Sequence, residues 1–368
     1  VAPAASAVSP ALLALLRCPY CGGRFDDGGR ARDVAPFAVL ACACCAYPVI
    51  DGIPILRLGD EVSAAIRAVE RGEADTARRA VLDLPPARHH DFDAVRRGDV
   101  RTFVEAVRRV LPDGEGDYYA LRFGDPSFVA ADAVVRAIAR RVPEHTGPLL
   151  NVCGGCGHLT WTLAQIARDR RWPTPVLVDG SFCRLCLARR FLLPEAGAVC
   201  ADANAPLPLA SGSATLAVCN DAVHYVWGKR LLAAEMMRVA GAKGWVAWTH
   251  VHSALGDNAT AGNTLTPAGY AALFDERRVL AARDEMLVEA AVAGRALPWR
   301  GVAAAACSAS AARGPAASAG SSRATRCWCS QTSEPTAAPA SSSASQNARK
   351  NFQNSRPIVA APVIEQDW

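Results

Sequence analysis

Short apolar segments alternate with amphipathic segments in the part of the chain that follows Gly147. A short apolar run predicts a strand covered on both faces, because such a strand loses the alternation of apolar and polar residues. The runs lie at 149–153, 175–179, 198–200, 215–220 and 245–250, and the helical segments at 157–168, 182–193 and 229–240. This alternation predicts an α/β fold built on a parallel sheet.

The other regions of the chain differ in pattern. Apolar residues recur three and four apart among charged ones in the segments 60–71, 74–84, 99–111 and 125–142, which predicts helices there. Residues 10–58 combine short β-branched runs with Gly and Pro, which indicates a small β-rich module. After about residue 296, Ala, Ser, Gly and Thr dominate without helical or strand periodicity, which predicts disorder. We therefore predict a module over 1–59, a helical linker or lid over 60–146, an α/β domain over 147–297 and a disordered low-complexity tail over 298–368.

Composition and charge narrow the class of protein. The chain has 368 residues, of which 51% are hydrophobic, enough for a substantial buried core. No apolar run approaches the roughly 20 residues that a bilayer span needs, and residues 1–17 do not resemble a signal peptide, so we expect a cytoplasmic protein without a membrane partner. Residues 301–368 contribute +3 of the net charge of +5, so the remainder is nearly neutral and disfavours a nucleic-acid partner.

Two cysteine pairs stand close together near the start of the chain. Cys18 and Cys21 form one CxxC pair, Cys42 and Cys45 form another, and twenty residues separate the pairs. This spacing predicts a tetrahedral thiolate zinc site. Because protein ligands fill all four positions, the zinc ion would be structural. Cys44 adjoins the second pair, so the spacing leaves open whether Cys44 or Cys45 binds the ion.

The residues around these cysteines resemble a known family. The segments LLALLRCPYCGG, which includes Cys18 and Cys21, and YPVIDGIPIL, which begins at Tyr47, are similar to the short zinc-ribbon proteins that activate tRNA, rRNA and release-factor methyltransferases. In that family the ribbon is a partner module and not a catalyst. The resemblance therefore implies that residues 1–59 form a module that stabilises the protein or docks a partner and takes no part in catalysis.

A glycine-rich turn follows the first predicted strand of the α/β domain, within the segment LLNVCGGCGH over 149–158. Glycines let backbone amides approach a ligand, and the start of a helix favours a carboxylate or phosphate. Alone, this turn fits a dinucleotide site or merely a tight connection. The second strand, however, ends at Asp179, where a carboxylate can accept hydrogen bonds from both hydroxyls of a ribose.

Two further candidate cofactor segments follow the third and fourth predicted strands. Asp202 and Ala203 follow the third strand, and Asn220 ends the fourth. Together the four segments resemble the Rossmann-like S-adenosylmethionine-dependent methyltransferases, especially the ubiquinone/menaquinone-biosynthesis type. The resemblance implies that family's sheet, S-adenosyl-L-methionine as the cofactor, and an antiparallel strand pair beginning at 266–274 and 279–287.

The resemblance also assigns contacts with the cofactor. Gly155 and Gly157 would face its methionine part, Asp179 its ribose, and Asn220 the sulfonium, while the segment at 202–203 would lie at the edge of the adenine. The full set of expected cofactor residues is Asn151, Cys153, Gly155, Gly157, Asp179, Gly180, Asp202, Ala203 and Asn220.

Two of these positions depart from the family pattern. Asn151 stands where an aspartate is common, and Cys153 replaces the first glycine of the loop. A positive φ at Cys153 would cost about 1 kcal/mol, because the side chain has a β-carbon.

Three histidines are candidates for acid–base catalysis and for binding the substrate. His224 follows the fourth strand beside the expected sulfonium, so it is the best candidate for a catalytic base. His250 and His252 end the fifth strand two residues apart, so they point the same way, and we expect them to contact the substrate. An alternative is that these two histidines bind a divalent metal ion together with Asp221.

A second group of candidate substrate residues precedes the sheet. Tyr118, Tyr119 and Arg122 lie in the segment that covers the cofactor pocket in the family, and they are expected to close over the methyl donor or acceptor. A packing role is the alternative.

The favoured function is methyl transfer from S-adenosylmethionine to a small molecule. One alternative is an rRNA or tRNA methyltransferase that uses the zinc ribbon for docking, which the weak charge of residues 1–300 disfavours. The second is a non-catalytic adaptor, which the departures at Asn151 and Cys153 favour. The sequence leaves the acceptor atom and the oligomeric state open.

Overall fold

The computed structural model describes residues 7–25, 36–112, 114–142, 144–145, 147–255, 262–274, 279–297, 300–302 and 358–362. The strands are β1 Ala38–Ala41, β2 Ala46–Ile50, β3 Ile53–Pro54, β4 Leu149–Val152, β5 Val176–Asp179, β6 Gly197–Cys200, β7 Leu216–Asn220, β8 Trp245–Thr249, β9 Val279–Ala282, β10 Arg300–Val302 and β11 Ile358–Pro362. The α-helices are α1 Pro10–Leu15, α2 Asp60–Glu70, α3 Ala74–Val81, α4 His89–Arg97, α5 Phe103–Val110, α6 Glu115–Leu121, α7 Pro126–Arg141, α8 His158–Arg170, α9 Phe182–Phe191, α10 Lys229–Ala240, α11 Pro267–Ala271 and α12 Asp284–Val292. Within the described ranges, no helix combines the length and the apolar character that crossing a bilayer requires.

The large sheet has the order β10-β9-β11-β8-β7-β4-β5-β6. The pairs from β6 to β8 are parallel, whereas β11 pairs antiparallel with both β8 and β9. This is the Rossmann-like α/β sheet that the sequence predicted. The strand order reverses at β4, where the chain returns from β6 to β7. Open sheets of this kind bind ligands at such a reversal, outside the carboxyl ends of the strands.

Helices cover both faces of the parallel strands. On one face α7 and α8 pack against β4 and β7, through side chains such as Val134, Leu163 and Val218. On the other face α10 packs through Leu232 and Met236. Burial on both faces explains why these strands appear in the sequence as apolar runs without alternation.

Two predicted segments after β8 differ from the structure. The segment 266–274 was expected to be a strand, but it forms α11 and a 3₁₀ turn, Ala272–Phe274. Thr266 caps α11 by accepting a hydrogen bond from the amide of Gly269, and Pro267 occupies the first helical position, a combination that favours a helix. The segment 279–287 is a strand only as far as Ala282 and then enters α12.

Two strands lie in the stretch that was predicted to be a disordered tail. Residues 300–302 form β10, and residues 358–362 form β11 between β8 and β9. The prediction of disorder covered residues 298–368 and is therefore wrong for these two strands. Residues 303–357 and 363–368 lie outside the described residues.

The N-terminal residues pack against one edge of the large sheet. Strands β1, β2 and β3 form a small antiparallel sheet. Ile55, just after β3, forms a parallel bridge with Cys200 at the end of β6, and the amide of Leu56 donates to the Cys200 carbonyl at 2.8 Å. Leu16, just after α1, forms an antiparallel bridge with Leu209. The small sheet therefore covers an edge strand that would otherwise expose unpaired backbone groups.

Helices α2 to α6 connect the small sheet to α7 and bring α6 over the carboxyl edge of the large sheet. Helices α5 and α6 approach closely at Gly116, where a β-carbon would lie 2.7 Å from the carbonyl oxygen of Val107. This close approach fixes α6, which carries Tyr118 and Tyr119.

Candidate functional site

A cavity of about 1060 Å³ lies at the carboxyl edge of the parallel strands. The end of each strand from β4 to β8 contributes residues to its wall, and α6 contributes to the opposite side. Every expected cofactor residue except Gly157 lines this cavity: Asn151, Cys153, Gly155, Asp179, Gly180, Asp202, Ala203 and Asn220. The expected substrate residues line it too: Tyr118, Tyr119, Arg122, His250 and His252.

The turn between β4 and α8 depends on unusual backbone geometry. Cys153, Gly155 and Gly157 have φ of +56°, +54° and +86°. The positive φ considered for Cys153 is therefore present despite its β-carbon. Gly154 has a different reason to be glycine, because a β-carbon there would collide with the side chains of Leu177 and Asn151.

Asp179 ends β5 with its carboxylate at the cavity wall. One carboxylate oxygen accepts from the amide of Gly155 at 2.7 Å, and the other accepts from the amide of Ser181 at 2.9 Å. The residue is 6% exposed. Burial raises the pKa of Asp179, while Arg184 and the two amides oppose that rise. A rigid carboxylate beside the glycine turn is the arrangement that a ribose requires.

Polar groups at the ends of β6 and β7 form the next part of the wall. One oxygen of Asp202 accepts from the amide of Asn204 at 2.8 Å, and the side chain of Asn204 accepts in turn from the amide of Trp227. The side-chain oxygen of Asn220 accepts from the hydroxyl of Thr249 at 2.8 Å. These bonds hold the backbone at 202–204 and the Asn220 amide in place.

Asn151 lies on β4 below the turn. Its side-chain nitrogen donates to the hydroxyl of Thr160 at 2.9 Å, which connects β4 to α8. Asn151 is 1% exposed, so an amide here avoids the cost of burying the charge that an aspartate would carry.

Helix α6 closes the cavity opposite the strand ends. The hydroxyl of Tyr118 donates to Asp221 Oδ2 at 2.8 Å, and Arg122 Nη2 lies 3.2 Å from the same oxygen. Tyr119 stacks on His158, with ring centroids 5.8 Å apart. These contacts place Tyr119 beside the glycine turn, and they place Tyr118 and Arg122 against Asp221 at the end of β7.

Asp221 is the centre of a buried polar cluster. Its Oδ1 lies 3.2 Å from His252 Nε2 and 3.6 Å from His250 Nε2. His250 Nδ1 donates to Asp284 Oδ2 at 2.6 Å. Burial alone would raise the pKa of Asp221, but His250 and Arg122 hold it well below its usual range. The sequence placed Asp221 near these histidines, and it missed Asp284, whose position at the start of α12 gives no local signal.

His224, the predicted catalytic base, occupies a different place. It is 2% exposed and is not among the residues that line the cavity. Its ring lies 4.2 Å from that of His252 and 4.0 Å from that of Tyr225, measured between centroids. Burial, reinforced by His252, lowers the pKa of His224 to about 4, so the ring is neutral at pH 7. The ring contacts wall residues, and its role as a base stays a prediction.

The cysteines near the N-terminus form a second cluster. The sulfur atoms of Cys18, Cys42, Cys44 and Cys45 lie within 4.8 Å of one another, and Cys21 lies 3.7 Å from Cys42. Three of the four predicted ligands, Cys18, Cys42 and Cys45, thus belong to the mutually close set together with Cys44, while the fourth, Cys21, contacts Cys42. Although burial raises it, hydrogen bonds, the strongest from Tyr47, lower the pKa of Cys18 to about 6. Clustered cysteine sulfurs suit zinc.

Part of the cavity wall comes from the N-terminal residues. Tyr20, which lies between Cys18 and Cys21, lines the cavity, and so does Arg57 after β3. Arg57 donates to the carbonyl of Gly180 at 3.1 Å. Sequence reasoning missed both residues, because it treated 1–59 as a module separate from the site.

Comparisons with known proteins give the following. No model of a protein family matches the sequence, and no curated protein matches it. Similar solved structures include the geranyl diphosphate C-methyltransferase of Streptomyces coelicolor A3(2), which is 13% identical with a TM-score of 0.36; the match covers 62% of this chain and 76% of that one. An S-adenosylmethionine-dependent methyltransferase of Thermotoga maritima is 15% identical with a TM-score of 0.36, over 50% and 88% of the two chains.

Another similar structure has a different activity. The [4+2]-cyclase SpnF is 18% identical with a TM-score of 0.34, over 44% of this chain and 66% of that one. Values this low identify no activity for this chain. The assignment of the fold therefore rests on the strand order, and the function has to be argued from the site.

Proposed function

We propose that the protein is an S-adenosylmethionine-dependent methyltransferase that acts on a small molecule. The observation that carries the proposal is the Asp179 carboxylate. It is buried at the cavity wall, held by two backbone amides, and positioned beside a glycine turn at the reversal of the strand order. Such a carboxylate binds ribose hydroxyls in nucleotide-binding α/β sheets.

The other wall residues fit the rest of the cofactor. The turn containing Gly155 would hold the methionine part, Asp202 and Ala203 the edge of the adenine, and Asn220 the region of the sulfonium. The cofactor supplies an electrophilic methyl group. The residues of this chain supply orientation, since a displacement at carbon requires the acceptor, the methyl group and the leaving sulfur to be in line.

The charge of the wall favours a small acceptor over RNA. The wall contains more carboxylates than guanidinium groups, with Glu61, Asp83, Glu115, Asp125, Asp179, Asp202 and Asp221 against Arg57, Arg122 and Arg184. The phosphodiester backbone of RNA would be repelled from such a surface, whereas a cationic sulfonium would be attracted. Helix α6 adds aromatic rings that exclude water from the acceptor.

The proposal includes a structural zinc ion in the cysteine cluster. Cys18, Cys21 and Cys42 would supply three of the thiolates, and either Cys44 or Cys45 the fourth. Such an ion would stabilise the N-terminal residues, which supply Tyr20 and Arg57 to the wall.

Calorimetric titration with S-adenosylmethionine tests the cofactor assignment. We expect wild-type protein to bind and Asp179→Asn to bind at least about tenfold more weakly, because the neutral amide accepts hydrogen bonds less strongly than a carboxylate. Asp169→Asn is the matched control, since Asp169 is exposed at the end of α8. Absence of binding to the wild-type protein, or equal affinities for all three proteins, would overturn the proposal.

The class of acceptor needs a separate experiment. Protein and donor labelled in the methyl group are incubated with a metabolite extract and, in parallel, with total RNA. We expect the label to enter the metabolite fraction. Transfer into RNA would replace the small-molecule proposal by the RNA alternative.

A further inference from the structure

Three side chains at the ends of β7 and β8 have the composition and spacing of a metal site. Asp221, His250 and His252 each direct one ligand atom toward the others, and these atoms lie within 4.8 Å of one another. All three residues line the cavity. Two imidazoles and one carboxylate bind first-row transition metals, and they leave coordination positions open for other ligands.

The distances fit a shared ion. The Nε2 atoms of His252 and His250 lie 3.2 and 3.6 Å from Asp221 Oδ1. Two ligands that are each about 2.1 Å from one ion, at tetrahedral or octahedral angles, lie about 3.0–3.4 Å apart. Small movements of the side chains would therefore complete the coordination.

The surrounding residues hold these ligands in the required orientation. His250 Nδ1 donates to Asp284 Oδ2 at 2.6 Å, which leaves the lone pair of a neutral His250 on Nε2, the nitrogen that faces Asp221. Asp284 is 0% exposed. A carboxylate that accepts from the distal nitrogen of a histidine is a recurring second partner of metal-binding histidines.

The second oxygen of Asp221 is held from the other side. Tyr118 donates to Oδ2, and Arg122 pairs with the same oxygen. Oδ1 is thus the oxygen left facing the two histidines.

The charge balance also favours a cation. Asp284 is fully buried and the side chain of Asp221 is 13% exposed, and Arg122, which pairs with Asp221, is shared with Asp125 at 3.2 Å. Carboxylates outnumber Arg122 in this cluster, so a further positive charge is favourable there, and either a protonated His250 or a metal ion can supply it.

We propose that Asp221, His250 and His252 bind a divalent first-row transition metal ion at the cavity wall, and that its open positions take an oxygen atom of the cavity ligand. The second part rests on the proposed function, because the ligand would then be a methyl acceptor that carries a hydroxyl or carboxylate group. The first part does not depend on methyl transfer.

Cobalt titration of the full chain tests the site. The protein is stripped of metal, given one equivalent of Zn²⁺ to fill the thiolates, and then titrated with Co²⁺. We expect one Co²⁺ to bind per chain, with nitrogen and oxygen neighbours in its X-ray absorption spectrum. No uptake, or a shell of sulfur atoms, would overturn the proposal and leave His250 as a cation held by two carboxylates.

Variants identify the ligands. Asp221→Asn and His252→Ala should each weaken Co²⁺ binding at least about tenfold, whereas His90→Ala should not, since His90 lies exposed on α4. Circular dichroism and zinc content show whether each variant is folded. Unchanged affinity in both folded variants would contradict the assignment. If both unfold, the neighbours of Co²⁺ in the wild-type protein still decide.

The open positions have their own test. Acetohydroxamate, a small ligand that binds metals through two oxygens, should change the visible spectrum of the bound Co²⁺; no change would refute the open positions. Titration of the same samples with S-adenosylmethionine separates the two proposals. Uptake of Co²⁺ without binding of S-adenosylmethionine would refute the proposed function and leave the metal site standing.

Discussion

Three residues with positive φ and a β-carbon follow three strands of the parallel sheet. Cys153, Asp221 and His250 have φ of +56°, +53° and +51° and come directly after β4, β7 and β8. Such a conformation costs about 1 kcal/mol or more for a residue with a side chain. Since β4, β7 and β8 are neighbours in the sheet, the strained turns are concentrated on one side of the cavity, where they direct side chains inward.

Substitutions at Cys153 should reveal this strain. We expect Cys153→Gly to have a free energy of unfolding about 1 kcal/mol higher than Cys153→Ala, because only glycine adopts positive φ without cost. Urea denaturation measures both. At Cys186, inside helix α9, the order should be reversed, with Ala more stable than Gly by about 1 kcal/mol. The same order at both positions would argue against strain at Cys153.

His158 should make stability depend on pH. Burial and, to a smaller extent, Arg122 lower its pKa to about 4, and its Nε2 donates to the carbonyl of Tyr119. The ordinary pKa is about 6.5, so between pH 6.5 and 4 the unfolded chain binds a proton that the folded chain does not. The contribution of His158, up to about 3 kcal/mol, is complete above pH 6.5 and is lost as the pH falls toward 4.

The difference between wild-type protein and His158→Gln isolates this effect. Urea denaturation at several pH values should show that the loss of stability between pH 6.5 and 4 is smaller in the variant. Parallel profiles for the two proteins would show that His158 does not contribute.

At the residue scale, the sequence located the glycine turn and Asp179 in the cavity wall from local signals, but it did not predict the contacts on the opposite side of the cavity. Asp179 and the glycine turn could be predicted because strand ends carry a local signal. Tyr118 and Arg122 contact Asp221, which lies more than ninety residues later in the sequence. In the sequence, Asp284 looks like any acidic residue at the start of a helix, and only the fold brings it to His250. No local pattern encodes such contacts.

At the scale of elements, the approach of α5 to α6 determines where the cavity is closed. A β-carbon on Gly116 would lie 2.7 Å from the Val107 carbonyl oxygen and 2.9 Å from the α-carbon of Arg108. Both are backbone atoms, so a larger residue cannot be accommodated by moving a side chain.

Gly116→Ala should therefore be destabilising by about 1–3 kcal/mol, although the same change inside an unobstructed helix stabilises by roughly 1 kcal/mol. It should also weaken binding of S-adenosylmethionine, because α6 carries Tyr119 over the glycine turn. Thermal unfolding and calorimetry measure the two effects. Gly124→Ala is the control, since a β-carbon there meets no atom within 4 Å. A stability equal to that of the control would mean that the helices can separate at little cost.

The pattern of apolar residues predicted the five parallel strands because each is buried on both faces. It did not predict α4 or α6, whose apolar positions are few and which depend on packing against their neighbours. The wrong assignment of 266–274 as a strand came from the family resemblance, although Thr266 and Pro267 carry a local signal for the start of a helix.

At the scale of the whole molecule, the N-terminal residues and the large sheet share one hydrophobic core. Leu16, Tyr47 and Val49 belong to the same buried cluster as Val152 of β4 and Val178 of β5. Neither part can lose its structure without uncovering apolar surface on the other.

Calorimetric unfolding should therefore show one cooperative transition. If the cysteine cluster holds the proposed zinc ion, a chelator should move that transition to lower temperature as a whole, because loss of the ion would weaken the shared core. The chelator should have no such effect on Cys18→Ser. Two separated transitions, with only the first sensitive to the chelator, would show that the N-terminal residues unfold independently.

The contact between the N-terminal residues and the edge strand β6 also matters for folding during translation. Ile55 leaves the ribosome well before Cys200, the residue with which it forms a bridge. Until then, the apolar side chains of Leu12, Leu16 and Leu56, which belong to the shared core, have no sheet to cover them. A metal ion that folds the first cysteines early would turn this exposed face into a ready template for β6, so that the sheet is assembled onto an existing support during translation.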